Sequence, residues 1–193
     1  MKKSTIGLIA AIVALALWCV SKYNGMVNSD ETVTQAWANV EAQYQRRADL
    51  IPNLVATVKG YAAHEKGTLE AVIEARAKAT QMTLNVEDLT EENMKKFQEA
   101  QSQLSGALSR LMAVSESYPE LKANEQFLEL QAQLEGTENR INTARMEYNG
   151  EVKKYNVSVR SFPGNLIAGI FGFERRAEFK AEPGAEKAPT VTF

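Results

Sequence analysis

A chain of 193 residues is long enough for one domain with a substantial core and short appendages. Its 22 basic and 24 acidic residues nearly cancel, and no basic cluster is interleaved with aromatics, which argues against a nucleic-acid surface. Cys19 is the only cysteine and His64 the only histidine, so an intramolecular disulfide and the usual Cys/His zinc sets are excluded.

In chain order, the first feature is STIGLIAAIVALALWCVS, 18 uncharged residues between Lys3 and Lys22. As a helix they span about 27 Å, close to a hydrocarbon core of about 30 Å. Ser4, Ile9, Val13, Leu17 and Val20 are the membrane-spanning positions. Both lysines can snorkel, and Trp18 and Tyr23 sit where an aromatic belt forms. A cleaved signal peptide would use Ala14-Leu15-Ala16, but that site falls inside the apolar run and would leave Leu17, Trp18 and Val20 on a new N-terminus. Lipidation at Cys19 would need a small preceding residue, where Trp18 stands; a cysteine facing lipid or interface is the plainer reading. An uncleaved anchor over residues 1–27 is therefore favoured. Lys2 and Lys3 precede the run, whereas Lys22 is balanced by Asp30 and Glu31, which predicts a cytoplasmic N-terminus and the remainder across the membrane.

Residues 28–160 carry four helical patterns. Asn28-Ser29-Asp30 offers cap chemistry before Trp37, Val40, Tyr44 and Ile51. Pro52 interrupts the pattern, although the phase continues through Leu54 and Val58. Two helices of better matched length are favoured over one kinked helix. Residues 81–92 form a loop, with Asp88 and Thr90 as caps for a third helix reaching about Ser117. Tyr118-Pro119 ends it. Asn124 caps the fourth and longest, about 36 residues with one seam from Phe127 through Ile141 and Tyr148 to Val159. Four such stripes predict an all-α fold: a transmembrane helix followed by an antiparallel up-and-down four-helix bundle.

After Phe162-Pro163-Gly164 comes a compact apolar stretch, NLIAGIFGF, within a segment of 161–180. Leu166, Ile167, Ile170, Phe171 and Phe173 could pack on the bundle end, lie in the membrane interface or dock a partner, with packing favoured. Arg175 and Arg176 beside it would suit anionic headgroups. Phe179 follows, and 181–193 is predicted to be a disordered tail.

Candidate polar chemistry is sparse. Arg47 falls on the apolar seam, so its guanidinium is predicted to turn inward and pair with Asp49, Glu138 or Glu147. Arg46, Arg47 and Asp49 could form a ligand or partner site, but a bundle-specifying salt bridge is the stronger reading. Glu138, Asn142, Arg145 and Asn149 form a polar strip beside the seam, suited to a partner helix or to a buried hydrogen-bond network. A di-iron centre needs Glu-x-x-His on two helices, and His64 is instead followed by Glu65. No phosphate-cradling loop or nucleophile motif is present, so neither catalysis nor a cofactor is predicted.

The chain resembles the LemA family in four ordered pieces. They are QRRADLIPNLVATVKGYAAHE at 45–65, LSRL at 108–111, YPELKANEQFLELQAQLEGTENRINTARMEYNGEVKKYN at 118–156, and SFPGNLIAGIFGF at 161–173. The resemblance implies a single-pass, all-helical protein of the bacterial inner membrane, and the lysine asymmetry then puts its C-terminal domain outside the cytoplasm. It implies a scaffold or adaptor and no catalytic residues. Membrane lipid and a protein partner are the expected contacts, the latter a membrane protease of the HtpX type or a TPM-domain protein, and a homo-oligomer stays open. A membrane-surface protein that senses or organises lipid through NLIAGIFGF is the alternative.

Overall fold

The computed structural model describes residues 3–181. Lys2, which enters the orientation argument, and the expected disordered tail beyond Ala181 lie outside the described residues. Within them the fold is all-α, as expected, but the first helix differs. Helix α1, Lys3–Tyr61, runs 59 residues without a break, about 88 Å. It contains both the apolar run and the first helix of the bundle, so neither the start expected at 28–30 nor the break expected at Pro52 occurs.

Two local arrangements explain this. At the expected start, the hydroxyls of Ser29, Thr32 and Thr34 donate back to the Gly25, Asn28 and Asp30 carbonyls, 2.8–3.0 Å away. Those side chains join the helix instead of capping it. At Pro52 the missing N–H would have bonded the carbonyl four residues earlier, that of Ala48. That oxygen accepts from Arg76 Nε at 2.8 Å, so the helix passes its proline with no orphaned carbonyl there. The turn comes later, at 62–65, with buried Ala62 and exposed His64.

Helix α2, Lys66–Gln81, returns along α1, and a single 3-10 turn at Val86–Asp88 lies in the next loop. Helix α3, Glu91–Ser115, starts at Thr90, whose side chain accepts from the Asn93 amide. A short helix α4, Pro119–Lys122, leads to Asn124, which accepts from the Phe127 amide at 2.9 Å. Helix α5, Glu125–Arg160, has the predicted 36 residues. It lies antiparallel along α1, while α2 and α3 form the second hairpin. Helix α6, Gly164–Phe171, closes the helical part. Its first residue is a glycine because a Cβ there would stand 3.0 Å from the Ser158 carbonyl and 3.1 Å from Met26 Cε. It ends at Gly172, whose φ of 75° is left-handed and open to glycine without strain.

The core is divided. Near the anchor, Met26, Val33, Trp37, Val40 and Tyr44 meet Tyr148, Val152, Tyr155 and Val159 of α5. Trp37 is central, its ring 5.4 Å from both Phe97 and Tyr148 and stacked at 6.0 Å on Phe179. At the far end Ile51, Leu54 and Val58 meet Leu104, Leu108, Leu111, Phe127 and Leu134.

Arg76→Met should cost about 1–3 kcal/mol, the penalty for a carbonyl left without its donor. Adding Pro52→Ala supplies a backbone donor, so the double variant should recover part of that loss in thermal unfolding followed by circular dichroism. A double variant no more stable than Arg76→Met alone would show that Arg76 does not close the proline gap.

Candidate functional site

Between the two apolar clusters lies a polar layer centred on Arg47, which is 2 % exposed. Its Nη1 donates to Glu138 Oε2 at 3.0 Å and to Ser105 Oγ at 2.9 Å. Its Nη2 donates to Gln101 Oε1 at 2.6 Å, and Gln101 Nε2 in turn donates to the Ala79 carbonyl at 3.4 Å. Nε is buried without a hydrogen-bond partner. Helices α1, α3 and α5 therefore meet at one guanidinium, and Gln101 relays the network to α2. Of the three predicted acids, Glu138 is the partner. Asp49 is exposed and accepts from Gln45 on its own helix at 2.7 Å, while Arg46 and Glu147 are also exposed. The Arg46, Arg47 and Asp49 cluster is thus not assembled, because adjacent helical residues diverge by about 100°.

The polar strip on α5 does find an extended partner, and it is the chain itself. Residues 173–181 run back along the bundle as a strap. Asn156 binds the backbone of Arg176 with both ends of its amide, each at 2.9 Å. Asn149 does the same to Phe179 at 2.9 and 2.8 Å. Gln98 of α3 clasps Lys180 similarly at 2.9 and 3.4 Å. Seven helical residues rise about 10.5 Å and three extended residues about 10 Å, so the two asparagines match positions 176 and 179. Tyr148 adds a bond to the Ala177 carbonyl at 2.9 Å, and burial pushes its hydroxyl well above the ordinary phenol range.

Arg176 is the strap's second anchor. It grips Asp30 of α1 through Nε and Nη2, both at 3.1 Å, and the Val86 carbonyl through Nη1 at 3.1 Å. Burial works to lower its pKa, but the Asp30 carboxylate outweighs that and raises it. It therefore faces the bundle, which corrects the expectation that it meets lipid headgroups; Arg175 is exposed. Arg145 lies with its guanidinium 4.6 Å from the Phe179 ring centroid, a cation–π contact. Gln98 and Asn156 were not singled out in the sequence, and Arg176 was singled out for the wrong partner. The Asn149–Asn156 heptad spacing was the available signal.

At the anchor end, Ile9, Val13, Leu17 and Val20 are exposed at 47–66 %, and Ser4 is exposed too. Among the described residues, α1 is the one helix long and apolar enough to cross a membrane. The NLIAGIFGF segment is two-faced. Ile167 is buried and Phe173 half-buried, as packing requires, whereas Leu166, Ile170 and Phe171 are exposed. Among the described residues no group of three or more His, Cys, Asp or Glu side chains could hold a metal ion.

A family model described as LemA family matches residues 36–193. The chain is 27 % identical to magnetosome protein MamQ 2 of Paramagnetospirillum magneticum, over 95 % of this chain and 74 % of that protein. The same figures hold for magnetosome protein MamQ of Magnetospirillum gryphiswaldense. Protein LemA of Metamycoplasma hominis is 22 % identical over 84 % of this chain and 70 % of its own length. A 95 % match leaves about ten of 193 residues uncovered, so the likeness to the MamQ proteins extends well upstream of residue 36.

Arg47→Ala should destabilise the protein by about 2–3 kcal/mol, since Gln101 and Glu138 lose a charged partner. Glu138→Gln should cost under about 1 kcal/mol, because its carboxylate is 47 % exposed and solvent screens it. Equal losses in chemical unfolding would contradict that asymmetry. Asn149→Ala should also accelerate amide exchange at Phe179 while leaving α5 protected; unchanged exchange would show that the strap is held elsewhere.

Proposed function

The chain belongs to the LemA family, and from that premise we propose that it is a non-enzymatic, membrane-anchored scaffold of the bacterial inner membrane. In this reading α1 crosses the bilayer once, the N-terminus is cytoplasmic, and the bundle stands in the extracytoplasmic space. The observation that carries the reading is the continuity of α1. From Lys22 to Tyr61 it holds the bundle on the same rod as the apolar run, reaching about 58 Å beyond the membrane. A helix joined in this way transmits position and orientation, which is what an adaptor needs.

Of the polar side chains that drew attention in the sequence, Arg47 is spent on the core and Asn149 on the strap. The outer face of α5 is the candidate docking line. Leu128, Met146 and Val157 are exposed, and their spacings of 18 and 11 residues keep them within about 20° of one another. The partner is proposed to be another membrane protein, with proteases of the HtpX type and TPM-domain proteins as the first candidates. The MamQ relatives are named as magnetosome proteins, and a membrane-associated role for this chain is consistent with that likeness.

Replacing Ile9 and Val13 together with Asp should move the protein from the membrane pellet to the soluble fraction after an alkaline wash, given about 2.5–3.5 kcal/mol for each mid-helix Asp. Retention in the pellet would remove the anchor from this account. A photo-crosslinker at Met146 or Leu128 should capture one discrete membrane protein in cells. Capture of this chain alone from both positions would replace the adaptor by a homo-oligomer.

A further inference from the structure

Helix α6, GNLIAGIF, carries no charge on any face. A helix on the wet surface of a bundle normally turns a charged face outward, and one apolar all round is covered on both sides. Here one side is covered by the protein: Ile167 is 4 % and Ala168 3 % exposed. The other side presents Leu166 at 58 %, Ile170 at 76 % and Phe171 at 58 %, with Phe162 at 82 % just before the helix. The exposed apolar residues elsewhere on the bundle, such as Ile73 and Met146, stand apart from one another in sequence, whereas these four lie within ten residues.

Their position along α1 identifies the cover. Gly164 abuts Met26. The Tyr23 ring lies 4.8 Å from Phe171 and 5.6 Å from Phe173. Trp18 and Cys19, in the last turn of the uncharged run, are half-buried against the anchor-proximal core. Helix α6 therefore stands at the height where the apolar run of α1 ends and the bundle begins. The geometry points to a second membrane contact: we propose that Leu166, Ile170 and Phe171 are seated in the lipid of the leaflet from which the bundle emerges. This inference rests on α1 being the membrane anchor.

Interfacial helices bury their apolar face about 5–10 Å into the boundary between headgroups and acyl chains. The residues flanking these segments suit the headgroup level, since Lys22, Arg160 and Arg175 are exposed there, with Glu174 beside them. A single transmembrane rod still lets anchor and bundle rotate and tilt together in the bilayer. A second apolar contact beside the first fixes which face of the bundle looks along the membrane. The contact is internally braced, because the strap that follows α6 is pinned to Asp30, Asn149 and Asn156.

The test uses the full chain with Cys19→Ser, reconstituted in vesicles of phosphatidylcholine and phosphatidylglycerol. A single nitroxide is placed at Leu166→Cys, Ile170→Cys, Val13→Cys or Met146→Cys in turn. Collision rates with oxygen and with a water-soluble nickel chelate report depth. At positions 166 and 170 oxygen should exceed nickel several-fold, as at 13, with the opposite order at 146. If 13 is in lipid while 166 and 170 behave like 146, α6 is in water and the inference is overturned, leaving the anchor intact. If 13 also behaves like 146, the anchor reading fails and takes the inference with it. Low collision with both reagents at 166 and 170 would mean a protein cover, a second copy of this chain, and overturns the inference too.

Discussion

The backbone ladder of α1 is the constraint on which the rest of the molecule depends. Fifty-nine residues share one run of hydrogen bonds, so the apolar segment at its start and the bundle face at its end cannot move independently. The ladder survives its two weak places through side chains. Hydroxyls of Ser29, Thr32 and Thr34 fold back onto the helix where capping residues cluster, and Arg76 of α2 takes the Ala48 carbonyl that Pro52 cannot serve. The second repair also ties α2 to α1 by a bond that no apolar contact could supply.

Around that rod, packing and polarity divide the work. Two apolar clusters provide burial, and the Arg47 layer between them fixes register, since a slip of α1, α3 or α5 would break a bond to Glu138, Ser105 or Gln101. Buried polar layers of this kind commonly trade some stability for a unique alignment. The strap adds a different device. Side-chain amides of Asn149, Asn156 and Gln98 act as substitutes for a neighbouring strand, satisfying extended backbone that has no sheet to join. Phe179 then enters the aromatic cluster around Trp37, so a segment beyond the last helix becomes part of the core.

The long-period features were legible in the sequence. The seam from Phe127 to Val159 gave α5 its length, Thr90 and Asn124 gave two helix starts, and the phase of Arg47 gave its inward direction, with Glu138 among three candidate partners. What failed to show were features set by distant residues. Pro52 reads as a break unless Arg76 is known to stand opposite Ala48, and nothing local to either position announces that pairing. Arg176 reads as a surface charge because its partner Asp30 lies 146 residues away. Asn149 was recognised as part of a polar strip suited to a partner helix or to an internal hydrogen-bond network, but nothing local showed that the chain's own strap fills it. For the apolar stretch at 165–173 packing was favoured over membrane or partner contact, and the structure divides it between Ile167 inside and Leu166, Ile170 and Phe171 outside.

If the anchor and bundle are one rigid body, orientation at the membrane becomes a property of the fold, and a partner would meet a fixed face of α5. The most direct test is a pulsed dipolar distance across the junction. With Cys19→Ser, spin labels at Val13→Cys and Arg46→Cys, 33 residues apart on α1, should give a narrow distribution near 50 Å in lipid nanodiscs. A broad distribution centred well below that value would mean that the helix breaks between membrane and bundle, and the account would fail at its first step.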